Sequence, residues 1–195
     1  MIIKQIELLI EHGIKNISID SGGRIYKRKV SPFGVFSGSF NPFHKGHLQI
    51  INESEKILGG PIHCEISTNN CDKGAISVKE IMKRFLLMGR FNLEITTEPL
   101  FCEKAVLLGP TCFIMGADTA ARFLNHKYYM DHFTLEDVIE YVCYELCCTF
   151  LIFPRNNVNL NEIKQNVPQK YLDYFKFNEN FTPLNVSSTQ LRGPQ

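Results

Sequence analysis

Hydrophobic positions near the start of this chain of 195 residues recur every three or four residues. The positions are Ile2, Ile3, Ile6, Leu9 and Ile10. This spacing predicts an amphipathic helix, and Gly13 supplies its C-terminal stop. Residues 14–32 lose the helical period, so we predict extended or turn structure there.

From residue 33 onwards, short apolar runs alternate with helical patterns. The predicted strands cover residues 33–36, 62–66, 93–97, 112–115 and 149–153. Four helices are predicted between them. The first ends at Gly59-Gly60, and the second begins at a capping box over residues 77–80. The third covers residues 100–108, and the fourth begins at a cap over residues 134–137. Strands joined through helices need crossover connections, which favour a mostly parallel sheet covered on both faces. The predicted fold class is therefore α/β, doubly wound.

The strand–helix units define the predicted domain organisation. Residues 1–32 are an N-terminal helix and extension, and residues 33–195 are the main domain. In such sheets, ligands bind beyond the carboxyl ends of the strands, at the switch point. Residues 38–48, 116–118 and 154–155 all follow predicted strands, so we expect them at one edge of the sheet.

Charge and cysteine content narrow the class of protein. The formal net charge is +1, which argues against a nucleic-acid or membrane-surface partner. The one basic run, Lys27-Arg28-Lys29, is interpreted as a solvated strand edge. We expect no secretory or transmembrane segment, because polar and charged residues break the N-terminal apolar stretch at Lys4, Gln5, Glu7 and Glu11. The seven cysteines contain no Cys-x-x-Cys pair, so we predict reduced thiols and a cytoplasmic protein, with the nucleus as the alternative.

The most specific segment follows the first strand of the main domain. It reads Gly38-Ser39-Phe40-Asn41-Pro42-Phe43-His44-Lys45-Gly46-His47-Leu48. A strand that turns through glycine and proline into a helix is a phosphate site, because the helix N-terminus offers unpaired N–H groups and a positive dipole end. The histidine spacing does not match a helical zinc pair, and no third ligand is evident. We therefore predict no protein-held metal here.

This segment resembles the HxGH signature of the nucleotidyltransferase superfamily, in the form typical of its adenylyltransferase branch. The resemblance implies a Rossmann-like nucleotidyltransferase fold for residues 33–195. It also implies that Gly38, Ser39 and Phe40 bind ATP in the turn. His44 and His47 would bind the α-phosphate and stabilise the transition state, as catalytic residues.

A second block near the C-terminus, Asn185-Val186-Ser187-Ser188-Thr189-Gln190-Leu191-Arg192, resembles the second signature of the same superfamily. The resemblance implies that Ser187, Ser188 and Thr189 bind the β- and γ-phosphates of ATP. Arg192 would clamp the triphosphate as a third catalytic residue. From the residues alone, the hydroxyl cluster could instead be a helix N-cap.

The same resemblance implies supporting residues between the two signatures. Lys73 and Arg84 match positions that bind phosphates of the two nucleotides, although a solvated loop lysine and a structural arginine are the alternatives. Gly116, Asp118 and Thr119 match a Gly-x-Asp segment whose aspartate meets a ribose hydroxyl. Arg155 matches a strand-end arginine near the adenine.

The acceptor is the least specified part of the prediction. Relatives that use pyridine mononucleotides often stack the ring on tryptophan, and this chain has none. Tyr128, Tyr129 and Phe123 are the candidates to replace it, or else they belong to the core, an alternative that we favour for Phe123. We interpret the chain as an enzyme that transfers AMP from ATP to nicotinamide or nicotinate mononucleotide, with Mg²⁺ bound through the triphosphate. Three alternatives to this activity stay open: a cytidylyltransferase, transfer to another acceptor, and a nucleotide-binding module without transfer. The chain could also form a homo-oligomer.

Overall fold

The computed structural model describes residues 2–26, 32–69, 74–89, 91–129, 133–155 and 158–184. Eight strands in these ranges form one sheet. The strands are β1 (Asn16–Ile19), β2 (Ile25–Tyr26), β3 (Gly34–Ser37), β4 (Ile62–Ser67), β5 (Leu93–Thr96), β6 (Cys112–Gly116), β7 (Thr149–Phe153) and β8 (Phe175–Phe177).

Helices connect most of the strands. The α-helices are α1 (Ile2–Glu11), α2 (Lys45–Leu58), α3 (Val78–Met88), α4 (Phe101–Leu108), α5 (Ala117–Phe123), α6 (Leu135–Glu140) and α7 (Leu160–Gln165). Short 3₁₀ segments occupy His126–Tyr128 and Gln169–Tyr174, and α6 continues as a π-helical turn over Tyr141–Glu145. Within the described ranges, no helix is long and apolar enough to cross a membrane.

The order of the strands places a switch point in the middle of the sheet. The order is β2-β1-β5-β4-β3-β6-β7-β8. All pairs from β5 to β8 are parallel, whereas β1 pairs antiparallel with both β5 and β2. The chain winds from β3 to β4 on one side and returns to β6 on the other, so the loops after β3 and β6 leave the same edge side by side. The predicted α/β, doubly wound, mostly parallel fold is confirmed.

Each strand and helix predicted from the apolar pattern is present to within a few residues. The capping box predicted over residues 77–80 forms only in part, because Ser77 accepts from the Glu80 N–H while the Glu80 carboxylate pairs with Arg84. The pattern did not predict α5, α7 or β8. Residues 2–26 form α1 and two further strands of the same sheet. The predicted domain division at residue 32 stays a prediction.

Two apolar layers cover the two faces of the sheet. One lies under α1, α2 and α3, and the other lies under α4, α5, α6 and α7. Of the described cysteines, Cys64, Cys112, Cys143 and Cys148 are buried, and none of the six described cysteines takes part in a disulfide.

On β4 and β5, the face towards α4 is polar instead of apolar. We call this cluster the polar layer; its members are Ser18, His63, Glu65, Glu94, Thr96 and Lys104. The carboxylates Glu65 and Glu94 are register partners on adjacent strands and are at most 1% exposed. Glu65 accepts from Lys104 Nζ at 2.9 Å and Thr96 Oγ1 at 2.6 Å. Glu94 accepts from Ser18 Oγ at 2.7 Å and pairs with His63 Nδ1 at 2.8 Å.

Candidate active site

The signature segment forms a tight loop between β3 and α2. The Gly38 N–H donates to the Glu65 carbonyl oxygen at 3.0 Å, which fastens the loop to β4. Phe40 is fully buried, and its φ of +45° lies in the left-handed region that non-glycine residues seldom adopt. A Cβ at Gly38 would lie 3.0 Å from the Phe40 ring, so any larger residue here would press against that ring.

His47 lies in the first turn of α2, packed among aromatic rings. Its ring centroid is 5.0 Å from that of Phe40 and 5.4 Å from that of Phe43. Its Nδ1 accepts from the His44 backbone N–H at 3.2 Å, which leaves Nε2 to carry the proton of the neutral ring. Burial first, and then the charges of His44 and Arg155, lower the pKa of His47 to about 3. His47 is thus a neutral N–H donor at physiological pH.

His44 caps α2 and stacks on His47. The two rings are 3.7 Å apart at an angle of 22°. Both ring nitrogens of His44 are buried, and neither has a hydrogen-bond partner in the part of the chain that the structure describes. Burial lowers the pKa of His44, and the Arg155 charge adds to this. An unpaired buried imidazole at a helix N-terminus is stabilised when an anionic ligand supplies the missing partner.

The loops after β6 and β7 complete the edge. Arg155 follows β7, and its charge acts on both His44 and His47. Gly116 ends β6, where a Cβ would lie 2.9 Å from Asp118 Oδ1 and 3.9 Å from Arg155 Cδ. The two histidines, Arg155, Gly116 and Asp118 therefore form one continuous group at the switch point. Their individual roles stay predictions.

Two other predicted residues have partners within the protein. Arg84 on α3 donates through Nη1 to the Ser39 carbonyl oxygen at 2.8 Å and pairs through Nε with Glu80 at 3.1 Å. Thr119 on α5 accepts from Arg122 Nη2 through its hydroxyl at 3.4 Å. Arg84 thus contacts the signature loop itself, and whether it also meets substrate stays a prediction.

The two candidate stacking tyrosines follow α5. Tyr129 packs against the apolar layer, and its hydroxyl donates to the Phe123 carbonyl oxygen at 2.6 Å. The Lys127 ammonium lies over the ring of Tyr128, 4.7 Å from the ring centroid. Whether either tyrosine stacks on the acceptor stays a prediction.

Several predicted residues lie outside the described ranges: Lys73, Ser187, Ser188, Thr189, Arg192 and the basic run at residues 27–29. The chain that leads to the second signature is described up to residue 184. The Thr182 carbonyl oxygen accepts from Gln49 Nε2 on α2 at 3.1 Å. Phe181 packs edge-on against Phe153 at 4.7 Å. The described chain that precedes the second signature in sequence therefore lies beside α2 and against the end of β7.

The donor set favours a metal that arrives with the nucleotide. In the ranges listed above, no group of three His, Cys, Asp or Glu side chains could hold a metal ion. Beside the single carboxylate of Asp118, the edge carries the Arg155 cation and two neutral imidazoles, and these three groups suit phosphate oxygens. Mg²⁺ keeps several water ligands and binds readily through substrate phosphates, so a triphosphate-bound Mg²⁺ fits this site.

Sequence reasoning missed the polar layer beneath the site. Glu65 and Glu94 are charged residues within strands that are otherwise apolar. Their presence in these strands was the signal from which a buried polar cluster could have been predicted. Their partners are 31 to 76 residues away in sequence, so the pairing follows only from the fold.

Comparison with known proteins agrees with this geometry. The sequence profile of the cytidylyltransferase-like family matches residues 35–193, so the chain belongs to that family. It is an enzyme of the nucleotidyltransferase class. It is similar to a probable nicotinate-nucleotide adenylyltransferase from Pelagibacter ubique (strain HTCC1062), with 28% identity over 189 residues that cover 85% of this chain and 94% of the relative.

Proposed function

We propose that the protein transfers AMP from ATP to nicotinate or nicotinamide mononucleotide and releases pyrophosphate, a step of NAD biosynthesis. The observation that carries the proposal is the imidazole of His44, whose two buried ring nitrogens have no hydrogen-bond partner among the described residues. It is stacked on His47 at the N-terminus of α2 and feels the charge of Arg155. Similarity to the adenylyltransferase from Pelagibacter ubique supports the choice of donor and acceptor.

The reaction needs no covalent enzyme intermediate. An oxygen of the acceptor's 5′-phosphate attacks the α-phosphorus of ATP, a new P–O bond forms, and the bond from the α-phosphorus to the bridging oxygen breaks as pyrophosphate leaves. His44 and His47 donate hydrogen bonds to the α-phosphate oxygens, where charge changes in the transition state. Arg155 and the dipole of α2 add positive potential. Catalysis is positioning together with electrostatic stabilisation.

Mg²⁺ would enter with the triphosphate, ligated by its oxygens and by water, close to His44, His47 and Arg155. When bound, the ion neutralises charge on the leaving pyrophosphate. The cytoplasmic location and the exclusion of nucleic-acid and membrane partners stay predictions of the composition.

The test is a panel of nucleotides and acceptors. The protein is incubated with Mg²⁺ and either ATP or CTP. Each mixture also contains nicotinate mononucleotide, nicotinamide mononucleotide, glycerol 3-phosphate or phosphocholine. Pyrophosphate release is measured, and the product is identified by mass spectrometry. We expect ATP with a pyridine mononucleotide to give pyrophosphate and the dinucleotide.

Cytidylyl transfer is the second candidate, because the family that matches the chain is cytidylyltransferase-like. Product from CTP with a phosphorylated alcohol, and none from either pyridine mononucleotide, would replace the proposal by this candidate. Nucleotide binding without pyrophosphate release in any mixture would instead identify a binding module.

A further inference from the structure

The guanidinium of Arg84 joins α3 to the signature loop. One nitrogen donates to the Ser39 carbonyl oxygen at 2.8 Å, and another pairs with the Glu80 carboxylate at 3.1 Å. The side chain is only 12% exposed. Arg84 therefore uses two of its donor groups inside the protein, in a geometry that a planar fork suits and a single ammonium does not.

This bond fixes the orientation of one peptide of the loop. In a trans peptide, the carbonyl of one residue and the N–H of the next point in opposite directions. Because the Ser39 carbonyl is held towards α3, the Phe40 N–H is turned away from α3. That N–H has no hydrogen-bond partner among the described residues.

The conformation of Phe40 also requires support. A φ of +45° costs a non-glycine residue free energy and persists only when its surroundings hold it. The buried ring holds the side chain, where it lies 5.4 Å from the ring of Phe36. Arg84 holds the carbonyl before it. Successive N–H groups beside a left-handed residue form the kind of concavity that binds anions.

Building on the proposed function, we propose that Arg84 is a positioning residue for the transfer reaction. It orients the Ser39–Phe40 peptide so that the Phe40 N–H donates to a phosphate oxygen of the nucleotide. Arg84 itself acts through this peptide, whereas the resemblance assigned it a direct phosphate contact. Glu80 orients the Arg84 guanidinium through their ion pair and is therefore part of the same positioning interaction.

Glu80→Gln separates the two roles, because they predict opposite effects. If Arg84 positions the loop, loss of the ion pair leaves the guanidinium less firmly oriented towards the Ser39 carbonyl. Turnover then falls, and ATP binds no more tightly than in the parent. If Arg84 binds phosphate directly, removal of the competing carboxylate frees the guanidinium, so ATP or the acceptor binds more tightly. Calorimetric titration with ATP and steady-state kinetics measure both.

Arg84→Met should lower kcat by about 10–100-fold, less than the roughly 10²–10³ lost with a whole donor, because a loosened peptide still donates part of the time. Arg84→Lys should fall between Arg84→Met and the parent. Lys83→Ala, an exposed neighbour on α3, is the matched control and should leave kcat and both KM values unchanged. Melting temperatures identify any variant that fails to fold, and Glu80→Gln and Arg84→Lys then decide.

Tighter binding in Glu80→Gln would overturn the inference. A kcat for Arg84→Met within about threefold of the parent, well below that typical donor loss, would do the same. If the parent protein releases no pyrophosphate with any acceptor, the proposed function fails instead. The ATP titration of Glu80→Gln still reports on Arg84 in that case.

Discussion

Two clusters of this protein contain buried imidazoles, and they differ in how their polar groups are satisfied. In the polar layer, His63 pairs with Glu94 at 2.8 Å and its other ring nitrogen meets Asn92 Nδ2 at 3.0 Å. At the edge of the sheet, His44 has both ring nitrogens buried without a partner among the described residues. The cost of an unpaired buried group is tolerated where a ligand completes it. In these two clusters, the paired imidazole of His63 serves the structure, whereas the ring nitrogens of His44 are placed to meet a ligand.

The largest effect should come from breaking the polar layer. Lys104→Ala leaves the Glu65 carboxylate buried without its cation, and the free energy of unfolding should fall by about 3–5 kcal/mol. Lys56→Ala is the control, because its pair with Glu53 is exposed and should be worth about 0–1 kcal/mol. Urea denaturation measures both. A loss below about 1 kcal/mol for Lys104→Ala would show that the layer is not structural.

A smaller but still large effect should follow from removing a donor at the edge. His47→Ala should lower turnover by about 10²–10³, while ATP affinity changes much less, because the Nε2–H group meets charge that develops in transfer. His47→Gln retains an amide donor and should recover part of the turnover. Steady-state kinetics and ATP titration separate the two quantities. Turnover within about threefold of the parent, far below the expected loss, would remove His47 from the chemistry.

The buried state of His47 should also appear in the pH dependence of stability. Its pKa is about 3 in the folded protein against an ordinary value of 6.5, so the unfolded chain binds the proton more readily between these values. The contribution of neutral His47 to the free energy of unfolding is therefore fully present above pH 6.5 and is lost as the pH falls below that value. At pH 5 the loss should be about 2 kcal/mol.

The comparison for this measurement is His47→Gln, which cannot titrate in that range. Urea unfolding at pH 7 and pH 5 should show a smaller loss in His47→Gln than in the parent. His12→Gln, at an exposed position, should follow the parent. Parallel behaviour of all three proteins would mean that His47 is not buried as described.

The sheet could be predicted from local patterns. Apolar runs marked β3, β4, β5, β6 and β7, and the Gly/Pro-rich turn after β3 marked the loop that carries the candidate site. β8 was missed because three residues are too few to show a period. α5 was missed because its small residues directly follow the Gly116 turn and read as a loop.

The partners of individual side chains could not be predicted in the same way. Arg84 reaches Ser39 across 45 residues, and Lys104 reaches Glu65 across 39. Such contacts depend on how α3 and α4 pack on the sheet, and no local spacing encodes that. The sequence therefore indicated which residues could carry chemistry, while the fold showed which of them already have partners.

The most direct test of the account is a nuclear magnetic resonance titration of the imidazole nitrogens. The protein is labelled with ¹⁵N-histidine and titrated with Mg²⁺ and α,β-methylene ATP, which cannot transfer its nucleotide. Signals are assigned with His44→Gln, His47→Gln and His63→Gln. The account predicts that the His44 and His47 signals shift with the nucleotide while the His63 signal stays unchanged. Unchanged His44 and His47 signals at saturating nucleotide would contradict it.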